Sequence, residues 1–507
     1  MDDLRPDVVL INPGERETTY QQLGGDFTAI EPPLWCRLIG GYLRDRGFRI
    51  AIIDSDAESI DAGTVAARVA ALNPRLVAMV VFGHQPSAST QMMVGASEAC
   101  RAIKLKTSHT PIIIIGGHVS ALPERTLREV SADFACKGEG PVTVARLVTL
   151  IKARAGAVGG KDIEIPSYES VEGLVWRDKG EIVINQTAAL IADLDKDLHG
   201  QIWDLLPMAA YRAHNWQCFD DLGRRNPYAS IYTSLGCPYK CSFCCINAPF
   251  DSNRYRMRKP EMVVAEVDHL YRTYGIKTFK IIDEMFVLNE RHVMAICDAL
   301  INLGYSHELN FWAYARVDTV KPHMLEKLRR AGIRWLALGI ESGSKHVRDG
   351  SQKALRNDDI VTIVRQIQQA GISVIGNYIF GLPDDTPETM RETLNLAKEL
   401  NCEFANFYSA MAYPGSQLYS TAVAKGWALP SSWSGFSQHS YDCKPLPTET
   451  VTAAEVLRFR DRAFDEYFRN PRYLDMVAQK FGWETRRHIE EMSKHTLKRK
   501  ILEETAA

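Results

Sequence analysis

Three cysteines follow a short apolar run at a spacing that suits a metal cluster. Cys237, Cys241 and Cys244 form a C-x3-C-x2-C motif within residues 235–245, LGCPYKCSFCC. Three thiolates on one tight loop suit an iron–sulfur cluster, and they leave one iron of a four-iron cubane without a protein ligand. A structural zinc site usually takes four ligands in two spaced pairs; no second pair is present, and Cys245 is too close to Cys244 to reach the same metal. The motif therefore predicts a [4Fe-4S] cluster with one open iron.

The cysteine motif lies at the start of a series of apolar stretches separated by helical patterns. A helix is predicted at 260–274, where apolar residues recur on one face. Six βα units are typical of an incomplete (β/α)8 barrel, whose chemistry sits at the carboxyl ends of its strands. We predict a partial (β/α)6 TIM-type barrel over residues 229–415, with strands at 231–235, 278–283, 310–316, 335–340, 373–380 and 405–410.

The first 150 residues show a separate alternation of short apolar runs and helical patterns. This alternation predicts a parallel, doubly wound, flavodoxin-like (Rossmann-like) α/β domain. Its strand ends are rich in glycine and small polar residues, which let the backbone approach a large ligand at the carboxyl edge of the sheet. The predicted strands are 7–12, 48–54, 76–82, 112–115 and 133–136, and the predicted helices are 33–46, 61–72, 87–104 and 122–130.

Less can be assigned in the remaining segments. Residues 151–228 are predicted to be a connector, with a loop at 155–161 and a β-hairpin at 173–185. Residues 416–507 are predicted to form a covering segment followed by a helical appendage. The segments 18–30 and 427–446 are expected to cover the site.

Composition limits the functional classes. The chain has 60 Lys+Arg against 62 Asp+Glu, and this balance argues against a dedicated nucleic-acid binder. No apolar stretch approaches the roughly 20 residues of a membrane span, and the acidic start has no signal-peptide core. Eleven cysteines in 507 residues are no disulfide scaffold. A cytoplasmic protein is expected.

The C-x3-C-x2-C motif at the end of the first strand of a six-unit barrel resembles the radical S-adenosylmethionine (SAM) superfamily. The resemblance implies that the amino and carboxylate groups of SAM chelate the open iron. It also implies that electron transfer from the cluster cleaves SAM to a 5′-deoxyadenosyl radical, which removes a hydrogen atom from the substrate. It further implies an external electron donor such as flavodoxin or ferredoxin.

The same resemblance implies SAM contacts at the other strand ends. Two acidic residues follow the second predicted strand, and an arginine ends the third. A glutamate follows the fourth strand, and a glycine-containing stretch ends the fifth. Acidic residues at such places also often cap helices, and glycines often serve turns. The implied SAM-binding residues are Phe243, Asp283, Glu284, Arg316, Glu341, Gly376 and Gly381.

The first domain resembles the cobalamin-binding domain of one class of radical SAM enzymes. The resemblance rests on EPPLW at 31–35, on Gly116-Gly117-His118, and on DFACKGEG at 133–140. The chain lacks the D-x-H-x-x-G motif that supplies a histidine to cobalt elsewhere, so cobalamin is expected without a protein nitrogen below the metal. For His84 and His118, packing or support of a neighbouring group is expected rather than cobalt ligation. The implied cobalamin-binding residues are Asn12, Pro13, Asp54, Gly83, Ser87, Ser89, Gly116, Gly117, His118, Gly138 and Glu139.

Together the resemblances imply a cobalamin-dependent radical SAM C-methyltransferase. Methyl would pass from methylcobalamin to an unactivated carbon radical of a small-molecule substrate, such as a sugar or a phosphonate. The alternative is a relative that cyclises, oxidises or rearranges a ring without methyl transfer.

Two further alternatives fit the sequence less well. A methylthiotransferase would need a second cluster in the first domain, but Cys36, Cys100 and Cys136 are poorly placed for one. A cobalamin-dependent sensor would have no use for the cluster motif.

Overall fold

The computed structural model describes residues 5–14, 16–25, 27–85, 87–157, 167–353 and 355–505. Two α/β units with mainly parallel sheets follow one another along the chain, and a group of helices ends it. Of the predicted loop at 155–161, residues 155–157 instead end the helix Pro141–Ala157, and residues 158–161 lie outside the described residues.

The first sheet has seven strands in the order β2-β1-β3-β4-β5-β6-β7. β1 to β5 are parallel, which confirms the predicted doubly wound flavodoxin-like arrangement. The strands are β1 Val8–Asn12, β2 Ile50–Asp54, β3 Leu76–Val80, β4 Ile112–Ile115, β5 Phe134–Cys136, β6 Leu174–Asp178 and β7 Glu181–Ile184.

The predicted hairpin is present and extends this sheet. β6 pairs antiparallel with β5, and β7 pairs antiparallel with β6. Lys179 and Gly180 join the two strands with φ values of 48° and 93°, as a two-residue hairpin turn requires. The hairpin therefore covers the edge of β5, which would otherwise carry unpaired backbone groups.

Helices cover both faces of the first sheet. Ala62–Leu72 shows why these helices begin and end where they do: the Asp61 carboxylate accepts a hydrogen bond from the Thr64 amide at 2.7 Å, and Asn73 closes the helix in the left-handed region at φ 43°. The helices are Arg16–Tyr20, Leu34–Arg44, Ser55–Glu58, Ala62–Leu72, Ala88–Lys106, Gly117–Ala121, Pro123–Glu129 and Pro141–Ala157; a short helix, Leu194–Asp197, follows in the connector.

The second sheet has six parallel strands in the order β15-β14-β13-β12-β11-β8, and it forms the predicted partial barrel. A separate antiparallel pair, β9 with β10, lies beside the cysteine motif. The strands are β8 Tyr228–Ile231, β9 Ser234–Leu235, β10 Arg256–Met257, β11 Thr278–Ile281, β12 Asn310–Ala315, β13 Ile333–Glu341, β14 Ser373–Phe380 and β15 Phe404–Ser409.

The predicted position of the first barrel strand was wrong. It was expected at 231–235, but β8 ends at Ile231 and residues 234–235 pair with β10 instead. The chain leaves the sheet there because the Asp283 carboxylate accepts hydrogen bonds from the Thr233 amide and hydroxyl, at 2.6 Å and 2.5 Å.

The predicted helix at 260–274 is confirmed as Pro260–Tyr274, which ends at Gly275 with φ 67°. The other barrel helices are Glu290–Asn302, Leu325–Arg330, Lys345–Gly350, Asn357–Gln369 and Pro387–Leu400. The predicted helical C-terminus is also confirmed, with helices Gln417–Ala424, Ala453–Phe468, Pro471–Phe481, Trp483–Met492 and Lys500–Glu504. Within the described ranges, no helix combines the length and the apolar character needed to cross a bilayer.

A buried ionic network joins the two α/β units. Arg37 of the first unit donates to the Glu266 carboxylate of the barrel at 3.2 Å, and Arg258 donates to the same carboxylate at 2.6 Å. All three side chains are almost completely buried. Loss of one partner would leave a buried charge unpaired, so the network fixes how the two sheets face one another.

Candidate active site between the two sheets

A single cavity of about 350 Å³ lies between the carboxyl ends of both sheets. Its walls come from the strand ends of the first unit and from the strand ends of the barrel. This is where both architectures place their ligands.

The three motif cysteines line this cavity together. Gly236 precedes them at φ 86°, and a Cβ there would overlap the carbonyl oxygen of Arg254, so the tight entry into the loop requires glycine. Burial raises the pKa of the Cys237 thiol. Cys244 is exposed to the cavity, as a thiol that must reach a bound cluster has to be.

Two acidic residues after β11 hold the cysteine loop. Asp283 does not line the cavity; besides Thr233, it accepts a hydrogen bond from the Ser234 hydroxyl at 2.5 Å. Glu284 does line the cavity and accepts from the Gly236 amide at 3.2 Å. Burial raises the pKa of Glu284 to about 7.

Four of the seven predicted SAM contacts line the cavity: Phe243, Glu284, Arg316 and Glu341. Arg316 lies over the Tyr239 ring at 4.0 Å, points one nitrogen at the Cys241 sulfur at 3.9 Å, and pairs with Asp318 at 2.9 Å. Glu341 has a φ of 66° and accepts a hydrogen bond from Lys353, a cavity residue that sequence reasoning missed.

The two predicted SAM-binding glycines are not among the lining residues. A Cβ on Gly376 would lie 2.6 Å from the Tyr378 hydroxyl, and one on Gly381 would lie 2.6 Å from Val456. Packing within the barrel is therefore enough to explain Gly376, and packing of the barrel against the C-terminal helix Ala453–Phe468 is enough to explain Gly381. Their contact with SAM, like that of Asp283, stays a prediction.

Of the predicted cobalamin contacts, Gly83, Ser87 and Gly117 line the cavity. The others do not line it, and some of them are bonded to other side chains. Asn12 donates to Asp54 at 2.8 Å, and Glu139 accepts from Arg256 at 2.6 Å. The residues outside the lining are Asn12, Pro13, Asp54, Ser89, Gly116, His118, Gly138 and Glu139.

His118 is packed between the first unit and Trp433 of the C-terminal segment. Its Nδ1 lies 3.2 Å from the Thr90 hydroxyl, its ring meets the edge of Trp433 at 4.5 Å, and its amide donates to Ser89 at 2.8 Å. Burial lowers its pKa to about 3. These contacts agree with the packing role predicted from the sequence.

Sequence reasoning missed a buried charge cluster at the domain boundary. The Lys280 ammonium donates to both oxygens of Glu31, at 2.9 Å and 3.1 Å, and to the His84 carbonyl at 3.1 Å. His84 and His214 approach the same carboxylate within 3.5 Å and 3.6 Å. His84 also lines the cavity. Lys280, which stands between Phe279 and Ile281 in β11, was the available signal.

Segments from near the two chain ends close the cavity from above. Tyr20 and His439 line it, and their ring centroids lie 5.6 Å apart. The Gln21 side chain donates to the His439 carbonyl at 2.7 Å, and the Ser437 hydroxyl donates to the Thr19 carbonyl at 2.8 Å. We call residues 16–24 and 434–441 the roof.

The residues present fit a cluster and SAM. No three His, Cys, Asp or Glu side chains in the described ranges converge closely enough to hold one metal ion. In a four-iron cubane, each cysteine thiolate binds a different iron. Three cysteines spread along one wall of the cavity therefore suit such a cluster. SAM carries both signs of charge, and the cavity offers carboxylates and cations beside the cysteines.

The opposite wall fits cobalamin. It combines glycine-containing strand ends with the rings of Trp35 and Phe82, which stack at 4.0 Å with an angle of 14°. A flat, apolar surface of this kind suits a large macrocycle.

Comparison with known proteins agrees with this geometry. Residues 231–397 match the family model of the radical SAM superfamily, and residues 21–148 match that of the B12 binding domain. The structure of the radical SAM methyltransferase TsrM from Kitasatospora setae, with cobalamin and a [4Fe-4S] cluster bound, is similar over 96% of this chain and 99% of that chain, with a TM-score of 0.69 and 18% identity. At that identity the likeness shows a shared fold.

Two relatives are similar in sequence. An uncharacterized methyltransferase of Pyrococcus horikoshii is 25% identical over 87% of this chain and 89% of its own length. An anaerobic magnesium-protoporphyrin IX monomethyl ester cyclase of Cereibacter sphaeroides is 25% identical over 81% of this chain but only 63% of its own length.

The two family models together cover more than half of the chain. They confirm the predicted pairing of domain types and the three predicted cofactors, a [4Fe-4S] cluster, SAM and cobalamin. The chain belongs to the cobalamin-dependent radical SAM enzymes.

Proposed function

We propose that the protein is a methyltransferase that methylates a carbon atom of a small-molecule substrate. The observation that carries the proposal is the shared cavity, because one bound molecule can lie against both the cysteine wall and the glycine-containing wall. The methyltransferase of Pyrococcus horikoshii matches along most of its length, which supports this reading. The cyclase is matched over only 63% of its length, so cyclisation is the weaker alternative.

The protein's own residues bind the cofactors, orient them and shield them from solvent. When bound, the cluster and SAM supply hydrogen-atom abstraction and cobalamin supplies a methyl group. Cys237, Cys241 and Cys244 would hold the cluster, and Asp283 fixes the loop that carries them. The roof and the apolar walls exclude water and oxygen from reactive species.

The proposal includes three statements about the setting in which the enzyme works. We propose an external electron donor of the flavodoxin or ferredoxin type and a cytoplasmic location. We also propose that nucleic acid is not a substrate, because the charge is nearly balanced, at a formal net charge of -2.

Product analysis with methyl-labelled SAM tests the proposal. The anaerobic holoenzyme is incubated with reductant, trideuteromethyl-SAM and a metabolite extract of the source organism. We expect one metabolite to gain a trideuteromethyl group, and a variant with all three cysteines changed to Ala to give none. A new product that is oxidised or ring-closed without label would favour the cyclase alternative.

A further inference from the structure

The charged side chains of the cavity are confined to the cysteine wall. Among the described residues, those that line the cavity with a carboxylate, ammonium or guanidinium group all follow barrel strands β11 to β13: Glu284, Arg316, Glu341 and Lys353. Each already has a partner within the protein, as described above. SAM, with its own charges, is the molecule that this wall suits.

The rest of the lining is neutral. Burial lowers the pKa of His84, and it lowers that of His439 to about 3, so both imidazoles are uncharged near neutral pH. Gln438 and Ser409 add neutral polar groups. The Ser409 hydroxyl oxygen is buried and has no hydrogen-bond partner among the described residues.

Three tyrosines form a group of neutral hydroxyls in this part of the cavity. Tyr20 comes from the roof, Tyr314 from β12 and Tyr408 from β15, and all three line the cavity. Burial raises the pKa of each hydroxyl, so all three are protonated and neutral near neutral pH. Within the described chain, none of the three hydroxyls has a side-chain or backbone partner that would occupy it.

These features restrict what can bind beside the tyrosines. A charged group placed there would lose its hydration without gaining an opposite charge, which is costly. Buried hydroxyls, in contrast, require hydrogen-bond partners, and a phenol can donate to or accept from a neutral oxygen or nitrogen. Apolar side chains such as Phe250, Ile379 and Met411 complete the surface.

We propose that the substrate is uncharged where it enters the cavity, with a largely apolar framework and a hydroxyl, carbonyl or amide group bound by Tyr20, Tyr314 and Tyr408. This inference rests on the proposed function, because it names the substrate class of the same site. It disfavours the phosphonate expected from the sequence, since a phosphonate would need a free cation.

Binding of a matched pair of probes tests the substrate class. Radiolabelled phenylacetamide and phenylacetate share a ring and a linker and differ in charge; phenylphosphonate is a further anion. Equilibrium dialysis against the anaerobic holoenzyme with SAM is expected to show the amide bound at least tenfold more tightly than either anion. An anion that binds as tightly as the amide, or an amide that does not bind, would overturn the proposal.

Conservative variants test whether the tyrosines bind the amide. Tyr314→Phe and Tyr408→Phe each remove one hydroxyl and keep the ring, and each is expected to weaken amide binding by roughly two- to tenfold. Tyr305→Phe is the matched control, because the Tyr305 hydroxyl donates to Asp268 at 2.5 Å and Tyr305 does not line the cavity. Equal amide binding in all three variants would contradict the assignment.

The labelled extract separates this inference from the proposed function. After reaction with trideuteromethyl-SAM, the extract is passed over an anion exchanger. Label in the unretained fraction supports both proposals. Label only in the retained, anionic fraction supports methyl transfer and overturns the neutral substrate, whereas no label with intact amide selectivity overturns methyl transfer alone.

Discussion

The buried cluster around Glu31 offers the sharpest test of how the two units are held together. Glu31→Gln keeps the size of the side chain and removes its negative charge. Glu31 and Lys280 are 5% and 2% exposed, so the substitution leaves an ammonium group buried without its counter-charge. Removing one partner of a buried ion pair costs about 3–5 kcal/mol of folding free energy, and we expect a loss in this range.

Urea denaturation at pH 7, followed by circular dichroism and by tryptophan fluorescence, measures this loss. Glu58→Gln is the matched control, because Glu58 pairs with Arg68 at the surface, where such pairs contribute about 0–1 kcal/mol. In the double variant Glu31→Gln/Lys280→Met, we expect part of the stability to return because no charge is stranded. A cost for Glu31→Gln below about 1 kcal/mol, or no recovery in the double variant, would refute the reasoning.

The same variant has a defined pH dependence. Burial alone would raise the pKa of Glu31, but Lys280, His84 and His214 together hold it well below its ordinary value. A carboxylate with a depressed pKa stabilises the fold fully above its unfolded value of about 4.3, and this contribution is lost as the pH falls toward the folded value. The stability difference between wild type and Glu31→Gln should therefore stay constant from about pH 6 to pH 8 and narrow below about pH 5.

Four further results are expected. Reconstitution should give about four irons per chain, and changing the three cluster cysteines to Ala should abolish them while Cys245→Ala retains them; eight irons per chain, or iron in the triple variant, would contradict a single cluster. Glu341→Gln should weaken SAM binding at least tenfold at unchanged iron content, because a charge-assisted hydrogen bond contributes about 1.5–3 kcal/mol; unchanged affinity in calorimetry would assign Glu341 to a structural role. Asp283→Asn should lower iron retention, because an amide donor replaces an acceptor facing three donors; full iron content by colorimetric assay would argue against this anchoring role. The electron paramagnetic resonance spectrum of bound cob(II)alamin should show no nitrogen splitting, since His118 is packed against Thr90 and Trp433; splitting that disappears in His118→Ala would show ligation.

Local patterns predicted most of the architecture, because each element carries its own signal. Helix Pro260–Tyr274 has one apolar face, a proline in its first turn and a glycine after its end, and both of its bounds were predicted. The first barrel strand was misplaced because the apolar run continues past Ile231. What ends the strand is Asp283, about fifty residues away, and periodicity carries no information about such a partner.

The sequence predicted which strand ends form the site, but it did not predict which side chains line the cavity. Parallel strands bring their carboxyl ends to one edge, which was enough to place the cysteines, Glu284, Arg316 and Glu341 together. Which side chains turn into the cavity depends on bulges and on partners elsewhere, as the register shift of β13 between Gly339 and Glu341 illustrates. The pairing of Glu31 with Lys280 spans 249 positions, and no local pattern could link them.

The roof has a consequence for how the protein matures. Its two halves come from residues 16–24 and 434–441, and Gln21 also bonds to the Lys498 carbonyl at 3.2 Å. On the ribosome, the roof cannot form until residues 434–441 have emerged, because Gln21 and His439 lie 418 positions apart. Until then, no roof contact has to break for a molecule as large as cobalamin to enter between the two sheets.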